Sequence, residues 1–446
     1  MRRFIMISWK INMFLKTVKI VVWILILAAC NGQNTPQTRT TIPTTPTLTP
    51  TPIAQPSAIP TTEATPANER NLVIWWPDAL SPNDRAEVTE LLNQQIRDFS
   101  VSENDQVNLT FRLKRYSDVG GIISTLRAAN GVAPGALPDL TLIRREDLLS
   151  AIQSGLVYPL EGLVSFGVIN GIYDSALELG QYQDQLYALP YMQEIQIVAY
   201  HDTETIAGWT FDDVLTREQV IVFPARRVNG VNRLFFAQYL AAGGTLPLSD
   251  GSIEINRQAL LDVLSYYEAA YQQGLIPDDM PNYTTVSDYL PAFILEELDT
   301  AVISTTTYFD LRSSGESVMV APLPTRDGDP IGLLNGWLWV ITTSNTEQQE
   351  LAASFINWMM DIQRQTDFAS AVHMLPSQRS ALQRLDRSVV DVSRLDSISE
   401  GAFPPYGDLL NGSVARVLQN GFISVINGES SAEDAVQDII DQLNTE

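Results

Sequence analysis

Short apolar runs alternate with amphipathic stretches along the chain after residue 70. The run Asn71–Trp75 is rich in β-branched and aromatic residues, and 106–113 alternates apolar and polar residues; with the run 139–143 they predict three strands. Between the first two runs, apolar residues recur at helical spacing, and Ser81 followed by a proline is typical of a helix start. A second helix is predicted over about 118–130. This order of strand, helix, strand, helix and strand indicates a doubly wound α/β sheet.

Apolar runs typical of strands and amphipathic stretches typical of helices also occur later in the chain. Four further apolar runs predict strands, at 195–200, 300–304, 318–324 and 332–341. A helix is predicted from an N-cap at Asn256 to Gly274, because glycine suits the position that follows a helix. One more helix is predicted from apolar residues that share a face, namely Leu351, Phe355, Trp358 and Ile362.

The amino-terminal residues have the three-part pattern of an export signal. Five basic residues precede an apolar run at 20–29, and Leu27–Cys30 closes it. Ten apolar residues are too few to span a bilayer, which needs ~20, so the run is interpreted as a signal peptide over 1–29. The small residues before Cys30 resemble a bacterial lipobox, which implies lipidation of that cysteine. A plain secretion signal or an uncleaved anchor is the alternative.

A tract rich in threonine and proline follows the cysteine, so that residues 30–69 form a distinct segment. This composition cannot bury a core and favours an extended chain. We therefore expect a tether that separates a globular part from the membrane.

Composition excludes several classes of function. The chain has 446 residues, a formal net charge of −24, one cysteine and two histidines. Nucleic-acid binding is not expected, because neutralising phosphates requires clustered Lys and Arg. An intrachain disulfide is impossible, and a His-based zinc centre or a Ser-His-Asp triad is improbable. We expect no cofactor, no metal site and no catalytic residues.

Several stretches carry a resemblance to a known family, in order and over about residues 70–385. These stretches are Leu72–Asp78, Pro138–Leu142, Ala151–Leu160, Tyr187–Tyr191, Val198–Tyr200, Ala301–Ser304, Pro322–Pro324, Gly336–Trp337 and Leu375–Leu382. Together they resemble the family 1 extracellular solute-binding proteins of bacterial ABC importers, the group that includes maltose-binding protein. The resemblance implies a type II periplasmic-binding-protein-like α/β fold, with two doubly wound lobes, a hinge and a ligand cleft between them.

The resemblance also implies lobe boundaries. The chain is expected to cross between lobes near 194–196, 301–304 and 333–335. The N-lobe is then residues 70–194 plus 302–333, and the C-lobe is residues 195–301 plus 334–446.

Candidate ligand-binding residues follow from the rule that ligands bind at the carboxyl ends of strands in open α/β sheets. Trp76 and Asp78 follow the first predicted strand, and Arg144 and Arg145 follow the third. The alternatives are that Trp76 packs in the core with its neighbour and that the arginines, with Glu146 and Asp147, form a solvated helix cap. Asp78 matches an acidic ligand contact of maltose-type proteins.

The three crossings supply the other candidates. Tyr191 and Glu194 lie at the first crossing, where Glu194 matches a hydroxyl-binding carboxylate of maltose-type proteins or is a hinge residue. Thr307 and Tyr308 follow the second, and Asn335 and Trp337 lie at the third. Sugars stack their C–H faces on aromatic rings, so Trp337 and Tyr308 are the predicted stacking platforms.

These features predict a lipid-anchored, extracytoplasmic protein, expected to be a monomer and not an enzyme. The resemblance implies that it captures a small solute, expected to be a mono- or oligosaccharide, by lobe closure and delivers it to ABC permease subunits. One alternative is a binding lipoprotein that reports its ligand to a sensor kinase. Another is a surface glycoside hydrolase with two carboxylates.

Overall fold

The computed structural model describes most of the chain after the predicted tether. The described residues are 70–81, 85–103, 107–117, 119–132, 134–201, 209–227, 230–245, 255–403 and 412–444. They all belong to one compact unit, residues 64–446. The predicted signal peptide, Cys30 and the tether lie outside the described residues.

One sheet of nine strands organises the described residues. Its strands are β1 (Arg70–Pro77), β2 (Val107–Lys114), β3 (Leu140–Arg144), β6 (Leu189–Tyr200), β7 (Thr300–Ser304), β8 (Met319–Ala321), β9 (Gly332–Ile341), β10 (Leu375–Pro376) and β11 (Ala402–Phe403). Two short strands, β4 (Gln181–Tyr182) and β5 (Gln185–Leu186), form a separate hairpin.

The sheet begins as the parallel α/β unit that the sequence predicts. β1 pairs in parallel with β2 on one side and with β3 on the other. β9 then runs antiparallel beside β3, and β6 runs antiparallel beside β9. Of the predicted strands, 300–304 and 332–341 match their bounds, whereas only Met319–Ala321 of the run 318–324 is a strand.

β6 and β9 are long strands that pair along the middle of the sheet. Glu194 pairs with Asn335, and Gln196 pairs with Leu333. Beyond this point β6 continues against β7, where Gln196 pairs with Ser304. The three segments predicted as crossings therefore lie side by side.

Helices cover both faces of the sheet, as a buried sheet requires. They are α1 (Ala86–Ser102), α2 (Ile122–Ala129), α3 (Arg145–Gln153), α4 (Phe166–Gly171), α5 (Asp174–Leu177), α6 (Phe211–Thr216), α7 (Arg233–Ala241), α8 (Arg257–Gln272), α9 (Leu290–Ile294), α10 (Thr305–Ser313), α11 (Thr346–Met359), α12 (Ile362–Val372), α13 (Arg379–Leu382), α14 (Val392–Glu400), α15 (Ser413–Ile426) and α16 (Ala432–Leu443). In the described part of the chain, none of them has both the length and the apolar character needed to cross a bilayer.

The buried apolar residues form two clusters. The first contains β1, β3 and most of β9, and the second contains α7, α8, α15 and α16. Adjacent residues Leu333 and Leu334 belong to different clusters, because successive side chains of a strand point to opposite faces.

The predicted lobe boundaries remain a prediction. Within them, α11 and α12 were expected in the C-lobe, but they contribute Phe355 and Phe368 to the first cluster.

Two local expectations differ from the structure. The chain forms a 3₁₀ turn at Asp78–Leu80 after β1, and α1 begins only at Ala86, so Ser81 is not its N-cap. The continuous helix predicted through Ile362 is broken, since α11 ends at Met359 and Ile362 begins α12. The apolar spacing continues across the break, which explains why periodicity alone does not reveal it.

The predicted ends of α8 are confirmed. Asn256 accepts hydrogen bonds from the backbone N–H groups of Gln258 and Ala259, at 3.1 and 3.2 Å. Gly274 has a φ of +73°, the left-handed conformation that a residue with a side chain rarely adopts.

The break before α12 gives a first test. Asp361 caps this helix, because its Oδ1 accepts the N–H groups of Gln363 and Arg364 at 3.1 and 3.2 Å. Asp361→Ala should lower the free energy of unfolding by about 1 kcal/mol, measured by urea denaturation. Asp361→Asn keeps an acceptor oxygen and should stay within a few tenths of wild type. Equal losses in both variants would show that the charge, and not the cap, stabilises this helix.

Candidate ligand-binding site

Three parallel strands end at the same edge of the sheet and bring polar residues together there. Asp78 follows β1, Arg115 and Tyr116 follow β2, and Arg144 ends β3. Asp78 accepts the backbone N–H of Tyr116 at 3.2 Å, which ties the first two strand ends to each other. This is the edge at which open α/β sheets bind ligands.

These residues surround a cavity of about 350 Å³, which we call the strand-end cavity. Its lining residues are Asp78, Ala79, Arg115, Tyr116, Ser117, Arg144, Glu146 and Trp337. Charged groups of both signs and aromatic rings therefore face one space, a combination that suits a polar ligand with an apolar face.

Tyr116 holds the strand-end cavity in shape. Its hydroxyl donates a hydrogen bond to Asp147 and accepts the backbone N–H of Arg144 at 2.7 Å. Burial, followed by the bond to Asp147 and the negative charge of that carboxylate, raises the pKa of Tyr116 well above its ordinary value. The hydroxyl thus stays protonated and links the start of α3 to the end of β2.

Four side chains form a polar network where β6 and β9 pair. Arg144 Nη2 lies 3.5 Å from Glu194 Oε2, and Arg144 Nε lies 3.7 Å from Glu146 Oε1. Asn335 Nδ2 donates to the other oxygen of Glu146 at 3.1 Å. The Arg144 and Glu194 side chains are 19% and 29% exposed, so both remain accessible while they interact. We call these four residues the polar floor.

A glycine allows the strands to meet at the polar floor. A Cβ atom on Gly336 would lie 2.5 Å from the backbone oxygen of Met192, closer than packed atoms approach. The Gly336 N–H instead donates to Asn335 Oδ1 at 2.8 Å, which fixes the asparagine side chain. Any larger residue here would push β6 away from β9.

A second cavity, of about 290 Å³, is lined in part by Glu194, and we call it the crossing cavity. Its lining residues are Glu194, Gln196, Phe223, Pro224, Arg227, Asn232, Arg233, Leu234, Thr284, Thr285, Val286, Tyr289, Val302, Ile303, Ser304 and Thr307. Ile303 and Tyr289 belong to the first apolar cluster, whereas Phe223 and Leu234 belong to the second. The crossing cavity is therefore built from both clusters.

The structure brings five of the predicted residues to these two cavities. They are Asp78, Arg144, Glu194, Thr307 and Trp337. Asn335 lies beside them in the polar floor. Arg145, at the first position of α3, is half-buried and lines neither cavity.

Three predicted aromatic residues lie in the core instead. Trp76 and Tyr191 are fully buried and pack against Trp339 and Phe368. Tyr308 is also buried, and its hydroxyl accepts the backbone N–H of Asp391. Both faces of the sheet are covered, so the alternation that was expected to send Trp76 to a cleft sends it into a second apolar layer.

Trp337 does not offer an open ring face. Trp337 is only 4% exposed. Tyr116 packs against its ring in a T-shaped arrangement, with 4.8 Å between the ring centroids, and the Arg144 guanidinium lies 5.2 Å from the ring centroid. The half-buried ring of Tyr116, which sequence reasoning missed, is the more accessible aromatic surface.

The missed residues differ in how readily they could be found. Arg115 and Tyr116 follow the predicted strand 106–113, so the same strand-end rule selects them. Arg227 and Arg233 reach the crossing cavity through long-range packing, and no local pattern marks them. Within the described residues, no group of three or more His, Cys, Asp or Glu side chains is arranged to hold a metal.

Comparison with protein families identifies the class. A family model described as bacterial extracellular solute-binding protein matches residues 99–391. The match covers more than half of the chain, so the protein belongs to this family of extracellular solute-binding proteins. A comparison with curated proteins finds no match.

Solved structures of similar fold agree with this family. A cyclic alpha-maltosyl-1,6-maltose binding protein from Arthrobacter globiformis has 15% identity and a TM-score of 0.66, over 84% of this chain and 98% of its own. A family 1 extracellular solute-binding protein from Bifidobacterium longum subsp. infantis has 16% identity and a TM-score of 0.64, over 85% and 100%. MalE from Listeria monocytogenes, solved with maltose, has 16% identity and a TM-score of 0.62, over 85% and 99%. The type II periplasmic-binding-protein-like fold is thereby confirmed.

The role of Tyr116 gives a test of the strand-end cavity. Tyr116→Phe removes the acceptor of the Arg144 N–H and should lower the free energy of unfolding by about 1–3 kcal/mol. Tyr187→Phe is the matched control, because the Tyr187 hydroxyl bonds only to the exposed Gln185. Chemical denaturation of both variants measures the difference. Equal losses would mean that the Tyr116 hydroxyl does not stabilise the strand ends.

Proposed function

We propose that this protein is the lipid-anchored solute-binding component of an ABC importer and that it captures a carbohydrate. The ligand binds against the polar floor and extends into the strand-end and crossing cavities. Binding requires no covalent chemistry, so the protein releases its ligand unchanged to permease subunits in the membrane. We propose that it acts as a monomer, since one chain contains both cavities.

The polar floor is the observation that carries this proposal. Carbohydrate hydroxyls both donate and accept, and they are bound best by planar groups that make paired hydrogen bonds. Arg144, Glu146, Glu194 and Asn335 are four such groups, held within one network and still partly accessible. The names of similar structures, which bind maltose or cyclic maltosyl-maltose, support the same ligand class.

Ligand capture follows from the arrangement of the two cavities. We propose that the hinge lies at 194–196, 301–304 and 333–335 and that α11 and α12 move with the N-lobe, because they pack in the first apolar cluster. A ligand that touches both lobes stabilises the closed arrangement over the open one. The permease then distinguishes the closed protein from the open protein by its surface.

Substitution of the polar floor tests the ligand-binding role. Thermal shift and calorimetry against neutral and acidic mono- and oligosaccharides should identify at least one carbohydrate that binds. Glu194→Gln should weaken that binding by about tenfold or more, because a charged hydrogen-bond acceptor is lost. Glu350→Gln, on the exposed face of α11, should leave the affinity unchanged. Binding of other solutes alone, with no response to any carbohydrate, would contradict the proposal.

The anchor is tested separately. When the full-length chain is expressed in a bacterium, mass spectrometry of its first mature peptide should show a diacylglyceryl thioether on Cys30. Cys30→Ser should remove this modification and shift the protein out of the membrane fraction, whereas Ser57→Ala in the tether should change neither. A mature chain with an unmodified Cys30 would indicate a plain secretion signal.

A further inference from the structure

Two arginines of the crossing cavity form no ion pair with any residue that the structure describes. Arg227 and Arg233 both line this cavity, and neither forms an ion pair or hydrogen bond with any described residue. Arg233 Nε is buried without an acceptor. Both residues are half-buried, and a partly desolvated cation without a partner is costly, so such a pair is unusual unless a ligand completes it.

The charge of the whole chain makes this pair more unusual. Acidic residues outnumber basic ones, 52 to 28, so most basic side chains have carboxylates available to them. The crossing cavity has one acidic lining residue, Glu194, and that carboxylate already lies 3.5 Å from Arg144. Among the described lining residues, the charge of this cavity is therefore positive, opposite to that of the protein.

The two arginines also affect each other. Burial, and then the positive charge of Arg233, lowers the pKa of Arg227 below its usual range. An anion bound in the cavity that both arginines line would relieve the repulsion between them and could accept hydrogen bonds from both.

The surrounding backbone is built to hold these arginines in place. Asn232 Nδ2 donates to the backbone oxygens of Pro224 and Ala225, at 2.7 and 3.2 Å. Gln419 accepts the backbone N–H of Asn232 at 2.6 Å and donates to Ala225 at 3.0 Å. This clamp joins the segment that carries Arg227 to the start of α7.

The start of α7 adds to the positive potential. Asn232 caps α7 by accepting the N–H of Phe235, so the first two helical residues, Arg233 and Leu234, line the cavity. The amino end of a helix carries a partial positive charge and favours anions. The arginine side chains and the amino end of α7 therefore both make the potential in the crossing cavity more positive.

We propose that the crossing cavity receives an anionic group, a carboxylate or a phosphate, and that the ligand is an acidic carbohydrate. This inference rests on the proposed function and narrows its ligand class. Arg227 and Arg233 bind the anionic group, while the polar floor binds the hydroxyls of the same molecule. A uronic acid and a sugar phosphate share this chemistry.

Matched ligands test the inference on the purified full chain. Calorimetry compares glucose with glucuronate and glucose 6-phosphate, and neutral disaccharides with their uronate counterparts. Inorganic phosphate and acetate measure the response to an anion alone. We expect an acidic carbohydrate to bind at least about tenfold more tightly than its neutral counterpart. Whether the uronates or the sugar phosphate bind more tightly then shows whether the anionic group is a carboxylate or a phosphate.

Substitutions test whether Arg227 and Arg233 cause the preference for acidic carbohydrates. Arg227→Gln and Arg233→Gln should each lower the affinity for the acidic carbohydrate by about tenfold and leave binding of its neutral counterpart unchanged. Arg226→Gln is the matched control, since Arg226 is the exposed neighbour and lies outside the cavity lining. Unfolding temperatures of all three variants close to that of the wild type would show that the substitutions do not disrupt the fold.

The outcomes separate the two proposals. If neutral carbohydrates bind as tightly as acidic ones, and neither arginine substitution matters, the anion inference is wrong and the carbohydrate proposal stands. If inorganic phosphate or acetate binds but no carbohydrate does, the anion site is supported, but both the carbohydrate proposal and the assignment of an acidic carbohydrate are wrong. If nothing in the panel binds, both are wrong.

Discussion

The antiparallel pairing of β6 with β9 is the constraint on which the rest of the structure depends. This register sets Glu194 opposite Asn335 and, through the next pair of strands, beside Arg144. A slip of one residue would replace these polar groups with the flanking Ile195 and Leu334. The pairing is fixed by apolar residues on both faces and by the close approach at Gly336, so the core and the polar floor specify the same register.

Charge is distributed unevenly between the chain as a whole and its two cavities. The chain as a whole is strongly acidic, yet Arg115, Arg144, Arg227 and Arg233 all line the two cavities. Arg144 is balanced by two carboxylates, whereas the pair in the crossing cavity is not. Since charges interact more strongly where water is partly excluded, these few cations affect the local potential of the cavities more than the net charge does.

Local signals in the sequence predicted the fold well and the site in part. The strands at 300–304 and 332–341 and the cap at Asn256 depend on short-range patterns, and the structure contains them. Asp78 and Arg144 could be placed at strand ends from the sequence, and both line the strand-end cavity; their role in ligand binding stays a prediction. Trp76, Tyr191 and Tyr308 were placed at the cleft because an aromatic residue near a strand end looks the same whether it packs inward or outward. Which face a helix covers is settled only by long-range packing, and the arginines of the crossing cavity depend on that packing as well.

The position of Trp337 has a practical consequence. Its indole borders the strand-end cavity, with a guanidinium near one face and a phenol ring at its edge. The other tryptophans of the described residues, namely Trp75, Trp76, Trp209, Trp339 and Trp358, do not line either cavity. Any ligand that displaces Arg144 from the indole would alter the polarity around Trp337. The protein thus carries a built-in optical probe, whose emission can follow occupancy in real time without a dye.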